Sequence, residues 1–222
     1  MRKLLIVAGA LSLIAGPVSA HSVWIEQDSK GQARAYFGEW DENVREKTGA
    51  LLDRISNPKA FLSDPAKTLT ITREPDHLKI EGQVREDVRL LDNGTAPRDD
   101  RQAGGKTLTL FEAKSGRRSL RSVLDLELVP TAPGASTFVL MLRGVPLPKT
   151  AVKVFGPPRW EKELRTDDQG RLTIPPWAGR YVVEVVHVEA KPGVMDGVAY
   201  DRIRHVSTLS FVSTGGIPWK DK

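Results

Sequence analysis

The sequence predicts a mainly β protein made of two β-sandwich domains in tandem. Three observations predict it. Apolar residues recur at alternate positions through many short runs, which is the period of a strand. The runs are punctuated by turn formers, in a chain carrying 15 Pro and 19 Gly among 222 residues. Only Asp41 to Ser56 reads as a helix, with Val44, Leu51, Leu52 and Ile55 on one face and Gly49 weakening it. The Pro130-Thr131-Ala132-Pro133-Gly134 stretch, rich in turn formers, divides the chain into an N-terminal domain over 21–130 and a C-terminal domain over 131–222.

Residues 1–20 are expected to lie outside the fold. Arg2-Lys3, the apolar run Leu4 to Ala15, the Gly16-Pro17 break and Val18-Ser19-Ala20 make a secretory signal peptide, with cleavage expected before His21. The mature chain would then begin with histidine in the periplasm, and loss of Arg2 and Lys3 would lower the formal net charge of +5 by two units. Ser22 to Gln27 and Ala33 to Gly38 alternate as the first two strands around an Asp28-Ser29-Lys30-Gly31 turn. Lys67 to Arg73 and His77 to Gly82 form a hairpin around Glu74-Pro75-Asp76, and Val84 to Leu90, Thr107 to Glu112 and Ser122 to Val129 complete the first domain.

In the second domain, Thr137 to Arg143 and Thr150 to Phe155 read as one hairpin, and Trp160 to Thr166 with Arg171 to Ile174 as another, turning at Asp167-Asp168-Gln169-Gly170. A long strand from Tyr181 to Glu189 puts Tyr181, Val183, Val185 and His187 on one face, and a last strand from Arg204 to Val212 aligns His205, Ser207, Leu209 and Phe211. Pairing these faces antiparallel sets Tyr181 opposite Phe211 and His187 opposite His205, which would bring two imidazoles within reach of one ion.

With no cysteine, disulfides, thiolate metal sites and a cysteine nucleophile are excluded. Basic residues alternate with acidic ones, as in Arg98-Asp99-Asp100-Arg101, so no nucleic-acid partner is expected. No nucleophile elbow, His-Glu-x-x-His, Walker loop or dinucleotide loop occurs, which argues against hydrolytic catalysis.

The His21-Ser-Val-Trp-Ile-Glu start, Tyr36-Phe37-Gly38-Glu39, Gly144-Val-Pro-Leu, Val152-Lys-Val-Phe-Gly-Pro, Thr166-Asp-Asp-Gln-Gly-Arg and Ala178-Gly-Arg-Tyr together resemble one exported family, commonly labelled nickel or cobalt uptake components. The resemblance implies immunoglobulin-like β-sandwich domains and a periplasmic protein that binds a divalent transition metal and hands it to a membrane importer or outer-membrane receptor. Its implied ligands are His21, His187 and His205. Chemistry agrees for His21, because an amino-terminal histidine offers its α-amine and ring Nδ1 to one ion, a donor pair favoured by copper(II), nickel(II) and cobalt(II). Glu26, Glu39, Glu189 and Asp196 are candidate oxygen ligands or orienting partners, and His77, beside a turn, is expected to be exposed. Two other readings stand beside it: a carbohydrate-binding or structural β-module using Trp24, Trp40, Trp160, Trp177 and Trp219, and a copper oxidase with a histidine brace.

Overall fold

The computed structural model describes residues 21–101, 103–158, 160–175 and 177–216. The expected signal peptide and Trp219 lie outside them. The protein is mainly β, with 53% of residues in strands and, among the described residues, only the 3-10 turn Leu51–Arg54 as helix. None of the described helices is long and apolar enough to cross a membrane.

The first part of the chain gives β1 (Ser22–Gln27), β2 (Ala33–Glu39), β3 (Val44–Arg45), β4 (Pro58–Phe61), β5 (Thr68–Leu69), β6 (Ile71–Arg73), β7 (Leu78–Ile80), β8 (Val88–Asp92), β9 (Arg98–Asp99) and β10 (Lys106–Ser115). The second gives β11 (Leu126–Pro130), β12 (Thr137–Leu142), β13 (Val145–Pro146), β14 (Ala151–Gly156), β15 (Trp160–Arg165), β16 (Arg171–Thr173), β17 (Gly179–Glu189), β18 (Gly193–Met195), β19 (Val198–Tyr200) and β20 (Arg202–Ser213).

A nine-stranded sheet runs β15-β14-β17-β20-β10-β8-β4-β5, with β9 beside β10. It takes strands from both sides of Pro130, and β10 pairs in parallel with β20 from Thr107↔Arg202 to Ser115↔Ser210. The sheet therefore crosses the boundary expected at Pro130, and the described strands do not confirm two sandwiches in tandem. Two smaller sheets cover it: β1-β2-β7-β6 with β3, and β11-β12-β13 with β16. Even positions of β20 face the first cover. Val206 packs with Val23, Ile25, Ala35 and Phe37, and the Thr208 hydroxyl donates to the Val23 carbonyl at 2.6 Å. Odd positions face the second cover. Leu209 and Phe211 pack with Leu128, Phe138, Leu140 and Tyr181, and Ser207 donates to the Leu126 carbonyl at 2.7 Å.

Both hairpins expected after residue 137 are replaced by crossings between sheets. β12 turns back on β13 and pairs β16, whereas β14 and β15 join the central sheet. The local turn chemistry still holds, since the Asp167 carboxylate accepts from the Gln169 and Arg171 amides, both at 2.8 Å. It redirects the chain from one sheet to the next. The expected helix over Asp41 to Ser56 is also absent: the chain folds back at Trp40–Asn43 into β3, and only Leu51–Arg54 coils. Gly49, at φ 82, sits where a helical residue cannot.

On the second-cover side of β8 and β10 the sheet buries charge. Glu127 of β11 accepts from Arg89 Nη2 at 2.7 Å, from Arg89 Nε at 3.1 Å and from Lys114 Nζ at 2.9 Å, with all three residues about 1% exposed. The Val123 and Leu124 amides donate to the same carboxylate at 2.8 and 2.9 Å. Full satisfaction is what makes such a cluster tolerable in an interior.

Candidate functional site

His21 leads β1 and is held rather than frayed. Its ring packs on Phe37 with centroids 5.2 Å apart, and Phe37 meets Phe111 of the central sheet at 5.3 Å. Two carboxylates flank it. Glu46 Oε1 lies 2.6 Å from Nε2 and Glu39 Oε1 lies 3.2 Å from Nδ1, with the His21 side chain 26% exposed. Glu39 ends β2. Glu46 reaches the ring because β3 pairs back on β2, Gly38↔Arg45, and the Glu46 amide donates to the Phe37 carbonyl at 2.8 Å. That fold-back requires glycine at 38, where φ is 150° and an added Cβ would collide with the Val44 carbonyl.

His187 and His205 pair across β17 and β20 in the register read from the sequence, His187↔His205, beside Val185↔Ser207, Val183↔Leu209 and Tyr181↔Phe211. Their rings lie 6.5 Å apart. His205 is fully buried, with Nδ1 2.9 Å from Glu112 Oε2 and Nε2 3.1 Å from Glu189 Oε1. Burial alone would push the imidazole down and the Glu112 carboxyl up, favouring a neutral pair. Glu112 first, and Glu189 after it, outweigh the burial of the imidazole. Arg143, bonded to Glu189, holds that carboxyl down at about 2, and with carboxylates at both ring nitrogens the His205 imidazole is pushed up. His187, half-buried, is pushed down by burial and by the neighbouring His205 charge.

The structure does not bring the three sequence-predicted ligands together. His205 and His187 belong to the face of the central sheet that carries Leu209 and Val185, whereas β1 lies over the opposite face, on Thr208 and Val206. Bonds of about 2 Å to one ion cannot bridge a sheet. A single site of His21, His187 and His205 is therefore not formed, and in His205 both nitrogens already face a carboxylate. Of the other candidates, Glu39 stands at His21, Glu189 at His205, and Glu26 is paired to Arg45 at 2.8 Å. Asp196, exposed at φ 50, has no part in either cluster. His77 is partly buried against Tyr36, at 5.5 Å between rings, and bonds Asp76 at 2.7 Å.

No family model fits the chain, and no curated protein matches its sequence. The function therefore has to be read from the geometry.

Among the described residues no three His, Asp or Glu side chains are arranged as a ready-made metal cluster. At His21 the reason is plain: Glu39 and Glu46 sit at opposite nitrogens of one ring, so they cannot meet at a single point. They can play different parts. A proton on Nε2 would donate to Glu46 and leave the lone pair on Nδ1, the nitrogen nearest the main-chain nitrogen and Glu39. Glu46 and Glu112 were not legible as site residues. The signal for Glu46 was the Asp41-Glu42-Asn43 turn, which folds the chain back toward Phe37 and was hidden by the helical reading of the same stretch.

Proposed function

We propose that the protein is exported, begins at His21 after cleavage, and carries a divalent transition metal, nickel, cobalt or copper, to a membrane importer or outer-membrane receptor. The ligands are the His21 α-amine, His21 Nδ1 and Glu39, with Glu46 orienting the ring. The observation that carries this reading is the pair of carboxylates on the two nitrogens of one partly exposed imidazole, 2.6 Å and 3.2 Å away. Amine and Nδ1 of one histidine close a six-membered chelate, and a carboxylate beside it adds a third donor without any thiolate. Three donors leave coordination positions open, so an acceptor can enter before the carrier's ligands leave, and transfer proceeds by ligand exchange. Tethering of His21 by β1 lowers the entropy lost when the metal binds.

The test is calorimetric titration of the exported protein with nickel(II), cobalt(II) and copper(II). His21→Ala should abolish specific binding. Glu46→Gln should weaken it about tenfold or more through loss of ring orientation, and His187→Ala should leave it unchanged. Binding retained in His21→Ala would refute the assignment.

A further inference from the structure

A cavity of about 490 Å³ opens at the edge of the central sheet where β10 and β20, paired in parallel, both end. The β1–β2 turn, the segment leading into β8, the loop after β10 and Arg180 of β17 enclose it. None of its lining residues belongs to the metal assignment. The fold fixes its walls. Gln27 Nε2 donates to the Val84 carbonyl, and the Val84 amide donates to the Gly31 carbonyl at 2.9 Å. An added Cβ at Gly31 would collide with the Val84 carbonyl and one at Gly116 with the Asp87 carboxylate, so both approaches need glycine.

Charge in the lining is unevenly committed. Arg85, Arg117, Arg118 and Arg180 all line the cavity, and among the described residues no carboxylate lies within ion-pair distance of any of them. The acids beside them are mostly taken. Asp87, nearly buried, accepts from the Arg118 and Ser119 amides at 3.0 and 2.8 Å, with Lys114 Nζ at 3.5 Å. Asp28 accepts from the Lys30 and Gln32 amides, both at 2.9 Å, and its other oxygen lies 3.8 Å from Arg34. That leaves Glu86 against four guanidinium groups.

Arg117 is the most constrained of the four. Its carbonyl accepts from the Gly134 amide at 2.7 Å, its Nη1 donates to the Ala135 carbonyl at 3.1 Å and to Ser136 Oγ at 3.2 Å, and its guanidinium carbon lies 4.7 Å over the Phe211 ring. Among the described residues, Nε and Nη2 have no acceptor. Burial pushes this cation down from the usual guanidinium value, and no carboxylate opposes the shift. A partly buried charge is costly without a counter-ion.

We propose that this cavity binds the phosphate group of a small phosphate monoester. Such a group carries nearly two negative charges on three oxygens, so several guanidinium forks can meet it at once, whereas a single carboxylate fills one fork. Arg117, already held on Phe211, supplies Nε and Nη2, and Arg85, Arg118 and Arg180 complete the cation set. The volume exceeds that of a bare phosphate and is usual for a small-ligand site, leaving room for the organic part of the ester beside Val84, Phe211 and Val212. Other classes fit less well. A cation would meet four guanidinium groups, and a neutral ligand would leave Arg117 uncompensated. A long polyanion would have to pass Asp28, Glu86 and Asp87, which interrupt the basic residues.

The test uses the protein stripped of metal by a chelator that is then dialysed away, in phosphate-free Tris buffer, which separates it from the metal assignment. Calorimetry would be run with glycerol 1-phosphate, glucose 1-phosphate and inorganic phosphate, against citrate and vesicles of phosphatidylglycerol. At least one ester should bind with a dissociation constant of about 0.1 mM or below, and about tenfold more sodium chloride should weaken it. Arg117→Lys keeps the charge but loses the planar fork and should weaken binding at least about tenfold. Arg180→Gln should weaken it several-fold with the melting temperature unchanged, and Glu86→Gln, which removes a repelling carboxylate, should tighten it. Arg171→Gln, exposed on β16 and outside the cavity, should change nothing. No binding of either ester at about 10 mM, higher affinity for inorganic phosphate or citrate than for both esters, binding of vesicles without the free esters, or unchanged affinity in both Arg117→Lys and Arg180→Gln would each overturn the proposal.

Discussion

Replacing Glu127 with glutamine changes one heavy atom at the most heavily bonded carboxylate described. Glu127 neutralises two cations that are themselves about 1% exposed: Arg89, which it meets through Nη2 and Nε, and Lys114, whose other anionic neighbour, Asp87, is 3.5 Å away. A hydrogen bond to a charged group contributes about 1.5–3 kcal/mol, and breaking a buried ion pair by removing one partner costs about 3–5 kcal/mol because the other charge stays buried. Two cations share this carboxylate, so Glu127→Gln is expected to cost about 4 kcal/mol, a large part of the stability of an ordinary domain. Chemical denaturation followed by tryptophan fluorescence would show the midpoint fall with the slope unchanged. Acid titration adds a sign. Burial alone would push the Glu127 carboxyl up, but Arg89 and Lys114 hold it below the usual range, so its contribution is present above the unfolded value near 4.5 and is lost as pH falls through the folded one. The glutamine variant should therefore lack part of the wild-type acid limb. Replacing Arg89, Lys114 and Glu127 together with Met and Leu should recover most of the loss. Asp168→Asn, at the exposed Lys149–Asp168 pair, is the control and should change nothing measurable. A loss below about 1 kcal/mol in Glu127→Gln would show that the buried charges are hydrated and would refute the reasoning.

His205 gives the opposite pH dependence. Its folded pKa is raised, so its stabilisation is complete below the unfolded value near 6.5 and is lost as pH rises through the folded value; the wild-type melting temperature should fall between about pH 6 and 9 more steeply than that of His205→Gln. Arg143→Ala should release Glu189 from about 2 toward the ordinary carboxylate range, and because Arg143 is one-third exposed the stability loss at neutral pH should be about 1–2 kcal/mol, read by thermal denaturation. Gly38→Ala should destabilise by about 1–3 kcal/mol and also weaken metal binding, since the same collision opens the β2–β3 pair that delivers Glu46. Metal affinity itself should drop below about pH 6, where protons compete for imidazole and amine nitrogens; affinity that stays flat from about pH 8 to 5 would point to carboxylates alone.

Alternation along a strand tells which residues share a face, and where two strands both bury that face it also sets their register. That is why Tyr181, Val183 and Val185 could be laid against Phe211, Leu209 and Ser207, and His187 opposite His205, before any coordinates. The same rule does not say which sheet a strand joins. Thr137 to Leu142 and Ala151 to Gly156 have good turn residues between them, yet one belongs to a cover and the other to the central sheet, because their apolar faces close on each other across the core as layers. Nor does it say which side of the central sheet β1 covers, and that side decided that His21 could not meet the other two histidines. Along β10, charged Glu112 and Lys114 alternate with Phe111 and Ala113, a pattern that a half-solvated strand would also write. Burial of those charges became visible only with Arg89 and Glu127, which come from distant parts of the chain.

Whether the His21 α-amine and ring act as one chelate can be measured by acetylating the His21 α-amine and titrating both proteins with nickel(II), cobalt(II) and copper(II). Acetylation leaves the imidazole, Glu39 and Glu46 in place but turns the amine into an amide with no neighbouring amine to anchor a metal, so that it does not bind at neutral pH. Loss of a chelating nitrogen should weaken binding about a hundredfold or more, roughly 2.8 kcal/mol. Equal affinity of the two proteins for all three metals would contradict the assignment of the metal to the amino terminus.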